Sequence, residues 1–168
     1  MQLLKCEIDK NRLVEENTRI LFSAHGLPQK IINGGDPYES QVHKTVNAVL
    51  NKLKKEHNLS PDYRVCYQSK VGPLKWLAPS TSDEIIKAGD EQKSVIVLPI
   101  AFVSEHSETL VELDIDFREL AIKHHVPGYF RVPTLSSNKI FIQALRGLCL
   151  GDNLQKKCTK GFTKCFFN

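Results

Sequence analysis

Apolar positions along the chain fall into two patterns that alternate over most of its length. Continuous or alternating apolar runs predict four strands, over 19–24, 63–69, 94–103 and 129–132. Apolar residues at helical spacing predict four helices, over about 42–53, 82–88 with Ser82 as its cap, 107–124 and 138–150. This alternation favours one α/β domain, with a parallel four-stranded sheet and helices on both faces.

The loops that follow the predicted strands are where we expect a ligand. In open parallel sheets, ligands bind beyond the carboxyl ends of the strands. The loops after Ala24, Ser69 and Val103 lie at that edge, and they hold the three most unusual segments of the sequence. Their coincidence predicts one functional site at this edge of the sheet.

The first of these segments places His25 directly after a predicted strand, in a turn shaped by Gly26 and Pro28. An imidazole there can accept a proton near neutral pH or donate a lone pair to a metal ion. A turn histidine that only hydrogen-bonds a nearby carbonyl is the alternative, and the residues by themselves leave both interpretations open.

The second segment carries three acids at spacings of four residues, Glu108, Glu112 and Asp116. On a regular α-helix they would form a row along one face. Such a row suits a path for protons or for a hard divalent cation. A solvated helix face is the alternative, and the position of His106 and Glu108 at a strand end favours a functional role.

The third segment, residues 67–77, combines the only tryptophan, Trp76, with a Gly-Pro turn and two lysines. An aromatic ring beside basic groups suits a flat ligand that carries carboxylates. For Trp76 we favour the alternative, a packing residue that anchors the loop.

Composition and charge exclude several function classes. The 168 residues are 41% hydrophobic and 25% charged, as expected for one globular domain. The formal net charge of +4 is spread along the chain, which does not indicate a nucleic-acid partner. The sequence shows no dinucleotide fingerprint, no P-loop, no C-x-x-C pair for a zinc ribbon and no apolar stretch of ~20 residues for a membrane span.

Five segments, in this order and spacing, resemble the carboxy-terminal half of ferrochelatase: LFSAHGLP, GDPY, YQSKVGPLKWLAP, LPIAFVSEHSETL and ELDID. The resemblance extends from about residue 20 to residue 150. It implies a Rossmann-like, chelatase-type fold and an enzyme, a lyase, that inserts ferrous iron as substrate into protoporphyrin IX to form protohaem. The QSKVGP and SEHSETL segments favour ferrochelatase over related chelatases that insert cobalt or nickel into other tetrapyrroles.

The resemblance also implies roles for individual positions. His25 and Glu108 match the catalytic pair, and His25 would either take a pyrrole proton or bind the incoming iron. The implied metal-binding residues are His25, Glu108, Glu112 and Asp116. The residues expected to contact the substrate are Ser69, Lys70, Val71, Gly72, Pro73, Trp76, Ser104 and His106.

The chain departs from the resemblance in its length and in its tail. We interpret 1–150 as the chelatase domain and 151–168 as a basic, cysteine-containing tail. A full ferrochelatase has about twice this length, typical of two domains, so we expect an N-terminal half or a homodimer mate as partner. Cys158 and Cys165 form no C-x-x-C pair, so we expect no iron–sulfur cluster.

Two further questions stay open at the level of the sequence. The chain could be a porphyrin-binding half-domain that lacks turnover without its partner. Free thiols and a charged start predict a cytoplasmic protein in a bacterium, or one on the matrix side of a mitochondrion. A basic tail with Phe162, Phe166 and Phe167 is compatible with peripheral membrane contact.

Overall fold

The fold is built on a parallel sheet whose four strands confirm the predicted α/β class. A computed structural model describes residues 1–13 and 15–151. The strands are β1 (Thr18–His25), β2 (Asp62–Gln68), β3 (Ser94–Pro99) and β4 (Tyr129–Arg131). They are all parallel and lie in the order β2-β1-β3-β4. The predicted tail, apart from Gly151, lies outside the described residues.

Helices cover both faces of the sheet. They are α1 (Gln2–Lys10), α2 (Gln29–Asn33), α3 (Tyr38–His57), α4 (Thr81–Asp90), α5 (Ser107–Leu110), α6 (Phe117–Lys123) and α7 (Lys139–Cys149). A π-helical turn (Glu112–Asp116) separates α5 from α6, and a 3₁₀ turn (Glu15–Asn17) precedes β1. Helix α1 escaped the sequence analysis because charged residues dominate it, and Leu4 is its one fully buried side chain.

Each face of the sheet has its own hydrophobic core. Alternate residues of β1 point to opposite faces, so Ile20 and Phe22 pack on the side of α1 and α3. Leu21 packs on the other side with Ile85 of α4 and Leu113 of the π-helical turn. Because β1 is central and covered on both faces, seven of its eight residues are buried.

Three predicted boundaries were wrong. Helix α4 is capped by Ser80, whose hydroxyl accepts a hydrogen bond from the Asp83 amide, and not by Ser82. Strand β3 ends at Pro99, four residues before the end of its apolar run. The helix predicted over 107–124 is interrupted, because the Val111 carbonyl accepts from the amides of both Ile115 and Asp116, at 2.9 and 3.0 Å.

A buried ion network lies at the amino-terminal end of the sheet. The Arg19 guanidinium is 2% exposed and donates to Asp62 at 2.9 Å and to Glu91 at 2.6 Å. Lys93 donates to the same Asp62 carboxylate at 2.7 Å. Partial burial opposes ionisation, but the hydrogen bonds from Lys93 and Arg19 hold the pKa of Asp62 below its usual value. The network therefore ties β1, β2 and the start of β3 together.

Candidate active site

The predicted site residue His25 ends β1 at the carboxyl edge of the sheet. Its backbone pairs with Gln68, the last residue of β2, and the Gly26 amide donates to the Gln68 carbonyl at 2.8 Å. The turn after β1 also pairs with the loop after β2, since the Leu77 amide donates to Leu27 O at 2.9 Å. Two of the three loops singled out in the sequence are thus joined by backbone hydrogen bonds.

The two nitrogens of the His25 ring have different partners. Nδ1 lies 2.8 Å from the Gly26 carbonyl oxygen, which can only accept, so Nδ1 carries a hydrogen. Nε2 is then the nitrogen that can take up a proton, and it lies 3.2 Å from Oε1 of Glu108. Both side chains are partly open to solvent, at 40% and 37% exposure. His25 and Glu108 can therefore hold one proton between them at a surface that a ligand can reach.

Glu108 owes its position to His106, which caps the short helix α5. The Glu108 amide donates to Nδ1 of His106 at 3.2 Å, and the His106 amide donates to the Thr109 hydroxyl at 2.9 Å. The His106 ring also packs against Phe102, with centroids 5.3 Å apart. His106, which we predicted as a substrate contact, is thus used in the structure to start α5 and to orient Glu108.

Glu112 is held by the loop after β2. Its carboxylate accepts from the Ser69 amide at 2.8 Å, from the Ser69 hydroxyl at 2.6 Å and from the Gln68 amide group at 3.2 Å. Ser69 has a φ of +62°, in the left-handed region, which lets its amide and its hydroxyl reach the same carboxylate. Three donors to one carboxylate hold the Glu112 side chain in place behind the His25–Glu108 pair.

The regular row of acids expected from the sequence is not formed. The π-helical turn changes the direction of the side chains within it, so Asp116 is exposed while Asp114 forms an ion pair with Arg131 at 2.6 Å. Over residues 1–13 and 15–151, no group of three or more His, Cys, Asp or Glu side chains is close enough to hold a metal ion. The structure brings His25 and Glu108 together, with Glu112 one turn behind and Asp116 apart from them.

The loop after β2 is exposed over Lys70, Val71, Gly72 and Pro73, and Gly72 needs its positive φ of 69° to turn the chain. Trp76 is partly buried and donates from Nε1 to the Val71 carbonyl at 3.1 Å. Its ring lies so close to Gly26 that a Cβ there would be 3.1 Å from ring atom Cε3. These contacts agree with the anchoring role that we favoured for Trp76. Ser104 is exposed in the third loop.

A charged clamp holds the third loop to the edge strand β4. Arg131 donates to Glu105 at 3.0 Å, and the Thr134 amide donates to the same carboxylate at 2.9 Å. Partial burial opposes the charge on Glu105, but hydrogen bonds from Thr109, Thr134 and Arg131 hold the pKa of its carboxyl at about 2. The clamp keeps the residues just before His106 in place.

The sequence analysis missed two polar residues that support the site. Tyr38 donates from its hydroxyl to the His25 carbonyl at 2.9 Å, and burial raises the pKa of that phenol. Gln68 is buried at the end of β2 and bonds to Glu108 and Glu112. A polar residue directly after Cys66 and Tyr67, at the end of β2, was the available signal for Gln68, whereas the contact of Tyr38 crosses 13 positions and leaves no mark in the sequence.

A parallel α/β sheet with a histidine–glutamate pair and a glycine-containing loop at its carboxyl edge defines a chelatase-type domain. The ferrochelatase family model matches residues 1–152. The chain is 49% identical to the ferrochelatase of Rickettsia bellii (strain OSU 85-389) over 170 residues, which cover 93% of this chain and 47% of that protein. It is 47% identical to the ferrochelatase of Rickettsia prowazekii (strain Madrid E), over 96% of this chain and 49% of that protein.

A third relative, the ferrochelatase of Wolbachia sp. subsp. Brugia malayi (strain TRS), is 51% identical over 79% of this chain and 37% of that protein. The chain belongs to the ferrochelatase family. It spans about half the length of the curated relatives that it matches. Among the residues that the structure describes, no helix is both long enough and apolar enough to cross a membrane.

Proposed function

We propose that this chain takes part in haem biosynthesis by inserting ferrous iron into protoporphyrin IX, as the carboxy-terminal half of a ferrochelatase. The contact of 3.2 Å between Nε2 of His25 and the Glu108 carboxylate carries the proposal. Metallation removes two pyrrole protons from the macrocycle and inserts a cation that must lose its water. A base beside a carboxylate, both partly exposed to solvent, can serve both needs.

In the proposed reaction, His25 accepts a pyrrole proton at Nε2 because Nδ1 already donates to the Gly26 carbonyl. The Glu108 carboxylate then receives the proton from the imidazolium, which frees Nε2 for the second pyrrole proton, and both protons pass from this partly exposed pair to solvent. The Glu112 carboxylate, held in place by three donors behind the pair, would favour the approach of Fe²⁺. The porphyrin nitrogens supply the ligands that the metal keeps.

We propose that the exposed loop from Lys70 to Pro73 and the exposed Ser104 contact the porphyrin. The Lys70 ammonium would pair with a propionate of the macrocycle. Val71 and Leu74, at 73% and 60% exposure, would meet its apolar face. Trp76 anchors this loop through the hydrogen bond from its Nε1 to the Val71 carbonyl.

A first experiment is a titration of the 168-residue chain with protoporphyrin IX, followed by fluorescence and absorbance, with and without ferrous iron under anaerobic conditions. We expect saturable binding, followed by the absorbance spectrum of haem when iron is present. The variant His25→Ala should bind porphyrin and lose metallation while its thermal stability is kept, because a half-exposed turn residue contributes little to the core. His43→Ala, an exposed histidine on α3, is the matched control.

A second candidate function is porphyrin binding without turnover, by a subunit that needs a partner. The observation that favours it is the chain's length, about half that of its relatives. Porphyrin binding without haem formation by the chain alone, with turnover restored by co-expressing an N-terminal half or by dimerisation, would support this candidate. Absence of both binding and turnover in every combination would contradict the proposed function.

Metal choice separates ferrochelatase from a cobalt or nickel chelatase. We expect Fe²⁺ to be inserted into protoporphyrin IX faster than Co²⁺ or Ni²⁺ is inserted into a more polar macrocycle. We also propose that the chain binds no iron–sulfur cluster, and a stoichiometric content of iron and sulfide after anaerobic purification would contradict this.

We propose a cytoplasmic protein with peripheral membrane contact, because the apolar macrocycle partitions into bilayers and must be collected there. Flotation of the chain with anionic lipid vesicles, with and without protoporphyrin IX, tests the contact. Failure to float in both conditions would contradict it.

A further inference from the structure

The Gln68 carboxamide makes three hydrogen bonds that connect the central strand to both acids of the candidate site. Its Oε1 accepts from the Ser23 hydroxyl at 2.7 Å. Its Nε2 donates to the Glu108 carbonyl at 2.9 Å and to the Glu112 carboxylate at 3.2 Å. Gln68 is 2% exposed, so it contacts neither solvent nor a ligand in the cleft.

The orientation of this amide is fixed by the chemistry of its partners. The Glu108 carbonyl and the Glu112 carboxylate can only accept, so the amino group of Gln68 must face them. Ser23 then has to donate its single proton to Gln68. The hydrogens of this buried chain therefore point from Ser23 through Gln68 toward the acids, which strengthens each bond in turn.

The Glu108 carbonyl needs an external donor because of where it lies. Helix α5 ends at Leu110, so Glu108 is in its last turn, and the π-helical turn begins at Glu112. Carbonyls in the last turn of a helix have no assured partner within the helix. Gln68 supplies that partner, and it thereby fixes the backbone from which the Glu108 carboxylate reaches Nε2 of His25.

We infer that Gln68 is a positioning residue for the metallation reaction, which acts by holding Glu108 against His25 and Glu112 behind them. This inference rests on the proposed function, since it assigns Gln68 a part in that same site. It predicts that the donor character of the side chain matters, and not only its volume. A variant of equal size that accepts where Gln68 donates should therefore impair the site.

The isosteric variant Gln68→Glu provides the kinetic test. Its ionised carboxylate would face the Glu112 carboxylate and the Glu108 carbonyl, which are both acceptors. We expect kcat for metallation to fall about 10- to 100-fold at pH 8, the range for a lost hydrogen bond to a charged group, while KM for protoporphyrin IX stays within about twofold. The deficit relative to wild type should shrink as the pH is lowered toward 5.5, because a protonated carboxyl can donate again.

A second readout follows the position of Glu108 without requiring turnover. Diethyl pyrocarbonate modifies the free lone pair of an imidazole, and mass spectrometry of peptides gives the rate at each histidine. In the wild-type chain Glu108 covers Nε2 of His25. Gln68→Glu should raise the rate of modification at His25 by up to about fivefold, which corresponds to losing the free energy of one solvent-exposed ion pair. Gln41→Glu, the same change on an exposed side chain of α3, should leave that rate and kcat unchanged.

The two readouts separate failure of this inference from failure of the proposed function. If the wild-type chain forms no haem, either alone or with an N-terminal half, the proposed function fails. The rate of diethyl pyrocarbonate modification at His25 then decides by itself whether Gln68 holds Glu108. If Gln68→Glu and Gln68→Leu match wild type in kcat and in the rate at His25, the inference is wrong. A loss of kcat that is equal at every pH, with a matching loss of thermal stability and an unchanged rate at His25, would show a purely structural role and would also overturn it.

Discussion

Replacement of Glu105 by glutamine tests how strongly the charged clamp holds the third loop. The variant keeps the size of the side chain and one oxygen to accept from the Thr134 amide, but it removes the charge that faces Arg131. The Glu105 side chain is 28% exposed, so solvent weakens the interaction without abolishing it. We expect the variant to be folded and less stable than wild type at neutral pH.

The size of the effect follows from the pKa of Glu105, about 2 in the folded chain against an ordinary value of 4.5. Taken in full, this difference corresponds to about 3 kcal/mol of folding free energy. Screening by solvent reduces the expected value to about 1–2 kcal/mol. Because the folded pKa is the lower one, this stabilisation is present above pH 4.5 and is lost as the pH falls toward 2.

The assay is urea denaturation followed by circular dichroism, at pH values from 7 down to 3. At pH 7, Glu105→Gln should lower the free energy of unfolding by about 1–2 kcal/mol and the melting temperature by roughly 2–8 °C. The difference from wild type should shrink steadily below pH 4.5. Glu119→Gln, an exposed acid on α6, is the control and should stay within about 0.5 kcal/mol. Equal stability of Glu105→Gln and wild type at pH 7, or a difference that does not change with pH, would refute the reasoning.

Two other substitutions test the proposed catalytic pair and the turn beside it. Glu108→Gln should lower kcat for metallation by about 10²-fold or more while porphyrin affinity changes little, because the amide cannot share the His25 proton. Stopped-flow metallation measures the first quantity and porphyrin titration the second. Equal losses in both would mean that Glu108 only shapes the pocket. Gly26→Ala places a Cβ 2.9 Å from the Gln68 carbonyl and 3.1 Å from the Trp76 ring, so it should cost about 1–3 kcal/mol and shift the emission of this single tryptophan. Unchanged urea midpoint and unchanged emission would contradict that close packing.

The sheet could be predicted because it follows from local patterns. Apolar runs and helical spacing predicted the four strands and the helices α3, α4 and α7, and the edge rule for parallel sheets then selected the strand end that carries His25 as the candidate site. The resemblance to ferrochelatase rested on segments that lie in these loops, and the family match over 1–152 confirms it.

The arrangement of the acids could not be predicted, because it depends on contacts distant in the sequence. Regular helical spacing placed Glu112 and Asp116 in one row with Glu108. In the structure, Glu112 bonds to Ser69, 43 positions away, and Asp114 bonds to Arg131, 17 positions away. These bonds accompany a π-helical turn. The spacing of acidic and apolar residues in this turn differs little from the spacing in an α-helix, so the sequence pattern does not reveal it.

The ion network around Arg19 and the candidate site around His25 occupy opposite ends of the same strand. Arg19 and His25 are six positions apart on this extended strand, about 20 Å at the usual rise per residue. That distance exceeds twice the Debye length of about 8 Å at physiological ionic strength. Charge changes on the exposed side chains around His25 should therefore have little effect on the hydrogen bonds of Arg19, which hold β1 and β2 together at the opposite end of the strand. The sheet can thus keep its register while the exposed positions of the loops at its carboxyl edge vary, which gives it a rigid base and a variable rim.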